Sequence, residues 1–208
     1  MKNILIHGLG QNNRDWDTIK TVLEARGISS IAPDLFDLAR GRKLDYPTVY
    51  QAFSELCESY QDKLNLCGLS LGGLLALNYA IQYPKKINSL VLIGTPFEIP
   101  KGLLKFQNIV FRFMPKAVFQ NMGVSKKDFI RLSKSMVDLN FMDSATALDC
   151  PALILCGAKD KTNMESAKRF HEAMKNSKLV IVEDSGHEVN KDNPRKLVSI
   201  LQDFWVDN

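Results

Sequence analysis

Residues 66–73 read LCGLSLGG, a short apolar run that ends in a serine framed by glycines and then passes into an aliphatic stretch. Gly68, Ser70 and Gly72 make the pattern G-x-S-x-G, and its surroundings decide its meaning. KLNLC (63–67) has the aliphatic character of a buried strand. LGGLLALNYAIQY (71–83) is apolar nearly all round, as a central helix is, and Pro84 stops it. A strand, this pattern and a helix in succession are the context of a nucleophile elbow. There the serine takes an unfavourable backbone conformation that lifts its hydroxyl clear of the sheet, and the glycines let neighbouring backbone pass without a Cβ clash. The helix start aims N–H groups at developing negative charge. Ordinary glycine turns produce the same five letters by chance, so a base, a carboxylate and a second N–H donor have to come from elsewhere.

Outward from the elbow, strand-like and helix-like stretches alternate. NILIH (3–7), SSIAP (29–33, ending at Asp34), SLVLIG (89–94), ALILC (152–156) and LVIV (179–182) read as strands. Trp16, Ile19, Val22 and Leu23 mark a helix closed by Gly27, TVYQAFSELCESY (48–60) suits a second, and another falls near 164–174. The last helix opens with Asn193 as cap and Pro194 at its first position, and presents Leu197, Leu201, Phe204 and Trp205 on one face. Strands that are apolar without alternation and separated by helices indicate an α/β fold, a mostly parallel sheet with helices on both faces. No repeat or low-complexity linker interrupts the chain, so residues 1–208 are expected to form a single domain.

Bulk properties exclude several functions. No apolar run approaches the roughly 18 residues of a membrane span. The apolar part of MKNILIHGLG is too short for a secretory signal, so a cytoplasmic protein without stable membrane insertion is expected. A net charge of +4 is too small to argue for nucleic acid. Cys57, Cys67, Cys150 and Cys156 show neither a CxxC pair nor metal-ligand spacing, so buried free thiols are expected, with no metal and no cofactor.

Residues 98–147 break the rhythm. They contain no convincing strand, look helical, and carry the whole formal charge excess through eight basic residues against four acidic ones. They also hold 4 of the 7 methionines and 6 of the 11 phenylalanines. A small helical cap that buries its own core accounts for part of that enrichment. A lid whose Met114, Met122 and Met136 line an apolar substrate pocket accounts for the rest, because methionine adapts to irregular shapes.

The chain has three histidines. His171 lies in a helix between charged residues and reads as solvated. His7 ends the first strand. His187, in VEDSGHEVN, follows the last strand and so emerges on the same sheet edge as Ser70, where catalytic groups of parallel sheets gather. It is the best candidate for the base. Asp160, at the end of ALILCGAKD, is the best candidate for the carboxylate that holds the histidine's tautomer, with Asp184 in reserve. HGLG (7–10) offers a backbone N–H at Leu9, and Leu71, following the serine, offers a second; together they form a candidate oxyanion hole. Gly8-x-Gly10 followed by Asp34 imitates a dinucleotide fingerprint, but Asn13 stands where the third glycine belongs. Gly73 and Leu74 after Gly72 exclude a phosphate-binding loop, which requires Gly-Lys-Ser or Gly-Lys-Thr.

With HGLGQNNRDW, PDL (33–35), GLSLGG, SLVLIGTP, PALILCGAKD and SGHEVNKDNP, the chain resembles compact bacterial members of the α/β-hydrolase superfamily over essentially everything outside 98–147. The resemblance implies a helical cap inserted after the sixth family strand and a Ser70-Asp160-His187 triad. The first motif falls on the family's third strand, which implies a sheet of about six strands. DLFDLARGRK after Pro33 departs from the family's usual glycine-rich stretch. A serine hydrolase acting on a small, largely apolar carboxylic ester is the expectation, as a monomer or homodimer. Thioesterases, lyases or synthases that reuse the triad, and ligand-binding regulators with slow turnover, share these residues. Haloalkane dehalogenases and epoxide hydrolases need an aspartate where Ser70 stands, and perhydrolases commonly place methionine where Leu71 stands.

Overall fold

The unalternated aliphatic runs become strands of one parallel sheet. The computed structural model describes residues 1–96, 111 and 114–208. Its strands are β1 (Lys2–Ile6), β2 (Ser30–Ile31), β3 (Leu64–Leu69), β4 (Ile87–Ile93), β5 (Ala152–Gly157) and β6 (Ser177–Val182), in spatial order β2-β1-β3-β4-β5-β6. Every pairing among them is parallel. β3 and β5 are buried at every position, which is why their sequences do not alternate.

Successive side chains of each strand feed two separate cores. Ile4, Ile6, Leu66, Leu90, Leu92 and Ile154 face one cluster, shared with α3 (Tyr46–Glu58), α4 (Leu71–Gln82) and Phe170 of α8 (Met164–Ala173). Leu5, Cys67, Leu69, Val91, Ile93 and Leu155 face the other, shared with α1 (Asp17–Ala25) and α10 (Pro194–Val206). The period of two thus places apolar side chains on both faces, and helices cover both.

Two local readings need correction. SSIAP forms a ladder only at Ser30 and Ile31, because Pro33 has no N–H to continue it. Asp34 instead caps a short helix, α2 (Leu35–Leu38), its Oδ1 accepting from Phe36 N at 2.9 Å and Asp37 N at 3.1 Å. All four cysteines are free, but only Cys57, Cys67 and Cys156 are buried; Cys150 is half-buried.

Within 98–147, residues 98–110, 112 and 113 lie outside the described residues. The remainder forms α5 (Lys116–Asn121), α6 (Lys126–Ser135) and α7 (Met142–Ala145). Ser125 Oγ caps α6 by accepting from Asp128 N at 3.1 Å. The Phe119 and Phe129 rings meet edge-on with centroids 5.1 Å apart, and Tyr46 N donates to Ser135 Oγ at 2.7 Å, tying α3 to α6. The remaining short helix, α9 (Val189–Asp192), follows β6. Among the described residues no helix is long and apolar enough to cross a membrane.

The sheet order fixes where a site belongs. The chain leaves β1 for β2 on one side and then crosses to β3 on the other. That reversal opens a crevice beyond the carboxyl ends of β1 and β3. HGLG leaves β1 there, and Ser70 leaves β3.

Candidate active site

Ser70 has φ 52° and ψ −111°, one of two non-glycine residues with positive φ among those described. Such backbone persists only where its surroundings hold it. Here Ser70 N donates to Ile93 O at 2.9 Å, and Ser70 O accepts from Leu74 N at 3.0 Å. The flanking glycines are a steric requirement. A Cβ at Gly68 would lie 2.2 Å from Gly72 O, and one at Gly72 would lie 2.2 Å from Ile6 O. The elbow is therefore packed against itself and against the end of β1.

Asp160 closes a turn after β5, with its N–H on Gly157 O at 2.9 Å, and is 7% exposed. Its Oδ2 lies 2.7 Å from His187 Nδ1. Burial pushes the carboxyl upward, but hydrogen bonds from His187 and Asn163 outweigh it and hold Asp160 below the ordinary carboxylate range. An ionised carboxylate accepts only, so the proton sits on His187 Nδ1 and the basic lone pair is left on Nε2. Asp184, the reserve, is exposed and pairs with Lys159 at 3.5 Å.

Asn163 is a member of this cluster that sequence reasoning missed. Its Nδ2 reaches Asp160 Oδ1 at 3.0 Å and Oδ2 at 2.9 Å, and its backbone N reaches Oδ1 at 3.3 Å. Nδ2 also lies 3.2 Å from His187 Nδ1. With the proton on Nδ1 that is a contact between two donors, so the amide hydrogens serve the carboxylate. Its only sequence signal is a polar amide three residues after the acid.

The end of β4 joins the two halves. Ile93 O holds Ser70, and the next residue, Gly94, lies under the Asp160–His187 pair. A Cβ there would fall 2.9 Å from His187 Nδ1 and 3.2 Å from Asp160 Oδ2, and its φ of 50° favours glycine independently.

On the other flank the loop after β1 runs against the elbow, since a Cβ on Gly8 would lie 3.5 Å from Ser70 Cβ. His7, fully buried, fixes that loop. Its Nδ1 is 2.9 Å from Gly8 O, and its Nε2 accepts from Leu35 N at 3.0 Å. These partners select the neutral tautomer with hydrogen on Nδ1, and burial holds the imidazole below its ordinary pKa. Gly8 O also accepts from Gln11 N at 3.2 Å, which leaves Leu9 inside a pinned turn. Leu71 is the first residue of α4, so its N–H is one of those that no turn of the helix can satisfy. The other two histidines thus have different duties: His171 is exposed, with Nδ1 2.9 Å from Ser177 Oγ.

Of the three methionines singled out, Met122 meets the loop after β1. Its Sδ lies 4.0 Å from the position of a Cβ on Gly10. Met114 is half-buried and its carbonyl accepts from Lys126 Nζ at 2.8 Å. Met136 is 5% exposed and packs within the apolar cluster. A cleft of about 610 Å³ lies elsewhere, lined by Lys116, Gln120, Val124 and Lys127 among others. None of Ser70, Asp160 and His187 lines it, so it is a depression in the 98–147 segment apart from this chemistry.

This arrangement of elbow, sheet-edge pair and crevice is that of the α/β-hydrolases, and the chain belongs to them: residues 4–200 match the model of the alpha/beta hydrolase family. It is 27% identical over 225 residues to Lipase 3 of Moraxella sp. (strain TA144), covering 88% of this chain and 70% of that one. It is 25% identical over 247 residues to Lipase 1 of Psychrobacter immobilis, covering 96% and 77%. A thermophilic esterase from Thermogutta terrifontis superposes with a TM-score of 0.83 at 19% identity, over 100% of this chain and 90% of that one, which shows the shared fold.

Proposed function

We propose that the protein is a serine hydrolase that cleaves a carboxylic ester of a small, largely apolar molecule through an acyl-enzyme. The observation that carries this reading is the joint at the end of β4: Ile93 O holds the strained Ser70, and Gly94 underlies His187 with its ionised partner Asp160. The lipases among its relatives point to the same bond class.

In the proposed cycle His187 Nε2 takes the proton of Ser70 Oγ as the oxygen attacks the acyl carbonyl. The tetrahedral oxyanion is held by the N–H groups of Leu9 and Leu71, and Asp160 stabilises the imidazolium. His187 then gives its proton to the departing alkoxide, which leaves as the alcohol. A water molecule passes a proton to His187 and attacks the acyl carbon, and collapse returns that proton to Ser70 Oγ as the acid leaves. Met122 would line the acyl site beside Gly10, with Met114 and Met136 shaping the helical cap behind it. A monomer or homodimer acting on a cytoplasmic ester completes the proposal.

Turnover of p-nitrophenyl esters of increasing chain length tests it. Steady release in the wild-type protein, lost in Ser70→Ala, supports a hydrolase. A stable acyl adduct without release points to a ligand-binding regulator, and full activity in Ser70→Ala overturns the assignment.

A further inference from the structure

Two loops have to keep a fixed separation for that reaction: the one that carries the Leu9 amide and the one that carries His187. They leave different strands, β1 and β6, which sit far apart in the sheet order. A buried polar bridge joins them. Gln11 is 1% exposed and Asn190 is 2% exposed, although both are residues that ordinarily stay in solvent. Gln11 Nε2 donates to Asn190 Oδ1 at 3.2 Å and to Glu188 Oε1 at 2.9 Å. Asn190 Nδ2 returns a bond to Gln11 Oε1 at 3.3 Å and reaches Asp15 O at 3.2 Å. Gly8 N closes the circuit on Gln11 Oε1 with a long bond of 3.5 Å. Lys191 Nζ braces the far side, 3.3 Å from Glu188 Oε1 and 3.0 Å from Asp15 Oδ1.

Both ends of the bridge adjoin the candidate chemistry in the chain. Gln11 N holds Gly8 O, which fixes the turn around Leu9. Glu188 follows His187 directly, and its carbonyl accepts from Lys191 N and Asp192 N at 2.8 and 2.9 Å. Asp192 Oδ2 in turn accepts from Gly186 N at 2.7 Å, so His187 sits in a loop clamped on both sides. A core Gln–Asn pair adds little burial of apolar surface, and a leucine pair would fill the same space without desolvating two amides. Its directional bonds are what an apolar pair could not supply.

We infer that Gln11, with Asn190 and Glu188, positions the oxyanion amide of Leu9 relative to His187. The inference rests on the esterase reading above. Gln11 touches no reacting atom; it acts through the two loops. Removing its amide leaves Asn190 and Glu188 without their shared donor and lets the loops drift, and a drift of about 1 Å costs on the order of 10²-fold in rate. Because Gln11 is 1% exposed and acts only through the loops it ties together, the loss falls on kcat and leaves KM near its wild-type value.

The experiment compares kcat, KM and melting temperature on p-nitrophenyl butyrate for wild type, Ser70→Ala, Gln11→Ala, Gln11→Glu, Glu188→Gln and the double exchange Gln11→Glu with Glu188→Gln. Gln11→Glu sets two carboxylates against each other. The double exchange restores a donor–acceptor pair with its polarity reversed. Expected are a fall of about 10- to 100-fold in kcat for Gln11→Ala and Gln11→Glu at unchanged KM, and recovery of most of it in the double exchange. Melting temperatures that fall while kcat, measured well below them, stays at the wild-type value would overturn the inference and leave Gln11 a structural residue. So would a double exchange no better than Gln11→Glu alone. Activity surviving in Ser70→Ala would instead overturn the esterase reading itself, so the two failures are told apart.

Discussion

Replacing Gly94 by alanine tests the geometry of the site quantitatively, because its two costs can be separated. The first is a backbone cost. Gly94 has φ 50°, and an L-residue held left-handed loses about 1–2 kcal/mol. In a chain of this size that is a fall of roughly 2–8 °C in melting temperature. The second cost falls on the site. The new Cβ would lie 2.9 Å from His187 Nδ1, 3.1 Å from Cε1 and 3.2 Å from Asp160 Oδ2. An unstrained contact needs about 3.5 Å, so His187 has to move by roughly 0.6 Å or more. Displacements approaching 1 Å cost about 10²-fold in kcat, or ~2.7 kcal/mol of barrier. Gly27→Ala is the matched control, since Gly27 has φ 77° and nothing within 4 Å of a new Cβ. Steady-state hydrolysis of p-nitrophenyl butyrate and thermal melts on both variants read the two costs. Similar losses of melting temperature are expected, with kcat falling in Gly94→Ala alone. A Gly94→Ala protein that melts like the control yet keeps wild-type kcat would show that a side chain there leaves His187 undisturbed, contrary to this geometry.

Other outcomes follow from the hydrogen-bonded partners. Asn163→Ala removes the amide from both oxygens of Asp160, and bonds to a charged group contribute about 1.5–3 kcal/mol. Because Asp160 is held below its ordinary value, this stability is fully present above the unfolded value of 3.8 and is lost as pH falls through the folded one. Urea unfolding of wild type and Asn163→Ala is therefore expected to differ at pH 7 and converge in acid; a difference constant with pH would contradict it. His7 works from the other side of neutrality. Its folded pKa is lowered from 6.5, so below pH 6.5 the unfolded chain binds the proton first and stability declines, by at most ~1.4 kcal/mol per pH unit. Unfolding curves for wild type and His7→Asn are expected to draw together as pH falls from 7.5 to 5, and parallel curves would rule this out.

The elbow was legible because its requirements are steric: no side chain fits at Gly68 or Gly72, so the glycines have to be written into the sequence. The pairing of Asp160 with His187 was legible because a parallel sheet delivers the ends of its strands to one edge, which orders distant residues without any contact being known. The shared duties of the loops were not legible. Gln11 and Asn190 are 179 positions apart and meet only after six strands have found their order. His7 at the end of an apolar strand reads the same whether it is a base or a buried brace, and only Leu35 N on its Nε2 decides the matter. The short reach of β2 and the half-exposed Cys150 depend on where the chain turns after Pro33 and before Pro151, which hydrophobic pattern alone does not register.

The central claim, that Ser70 is a nucleophile activated by His187, is tested most directly by covalent capture. Wild type, Ser70→Ala and His187→Ala are incubated with a fluorophosphonate and digested, and the modified peptide is sequenced by mass spectrometry. Expected are one adduct on Ser70 in the wild-type protein, none in Ser70→Ala, and labelling slowed by orders of magnitude in His187→Ala. An adduct on another residue, or equal labelling with and without His187, would contradict it.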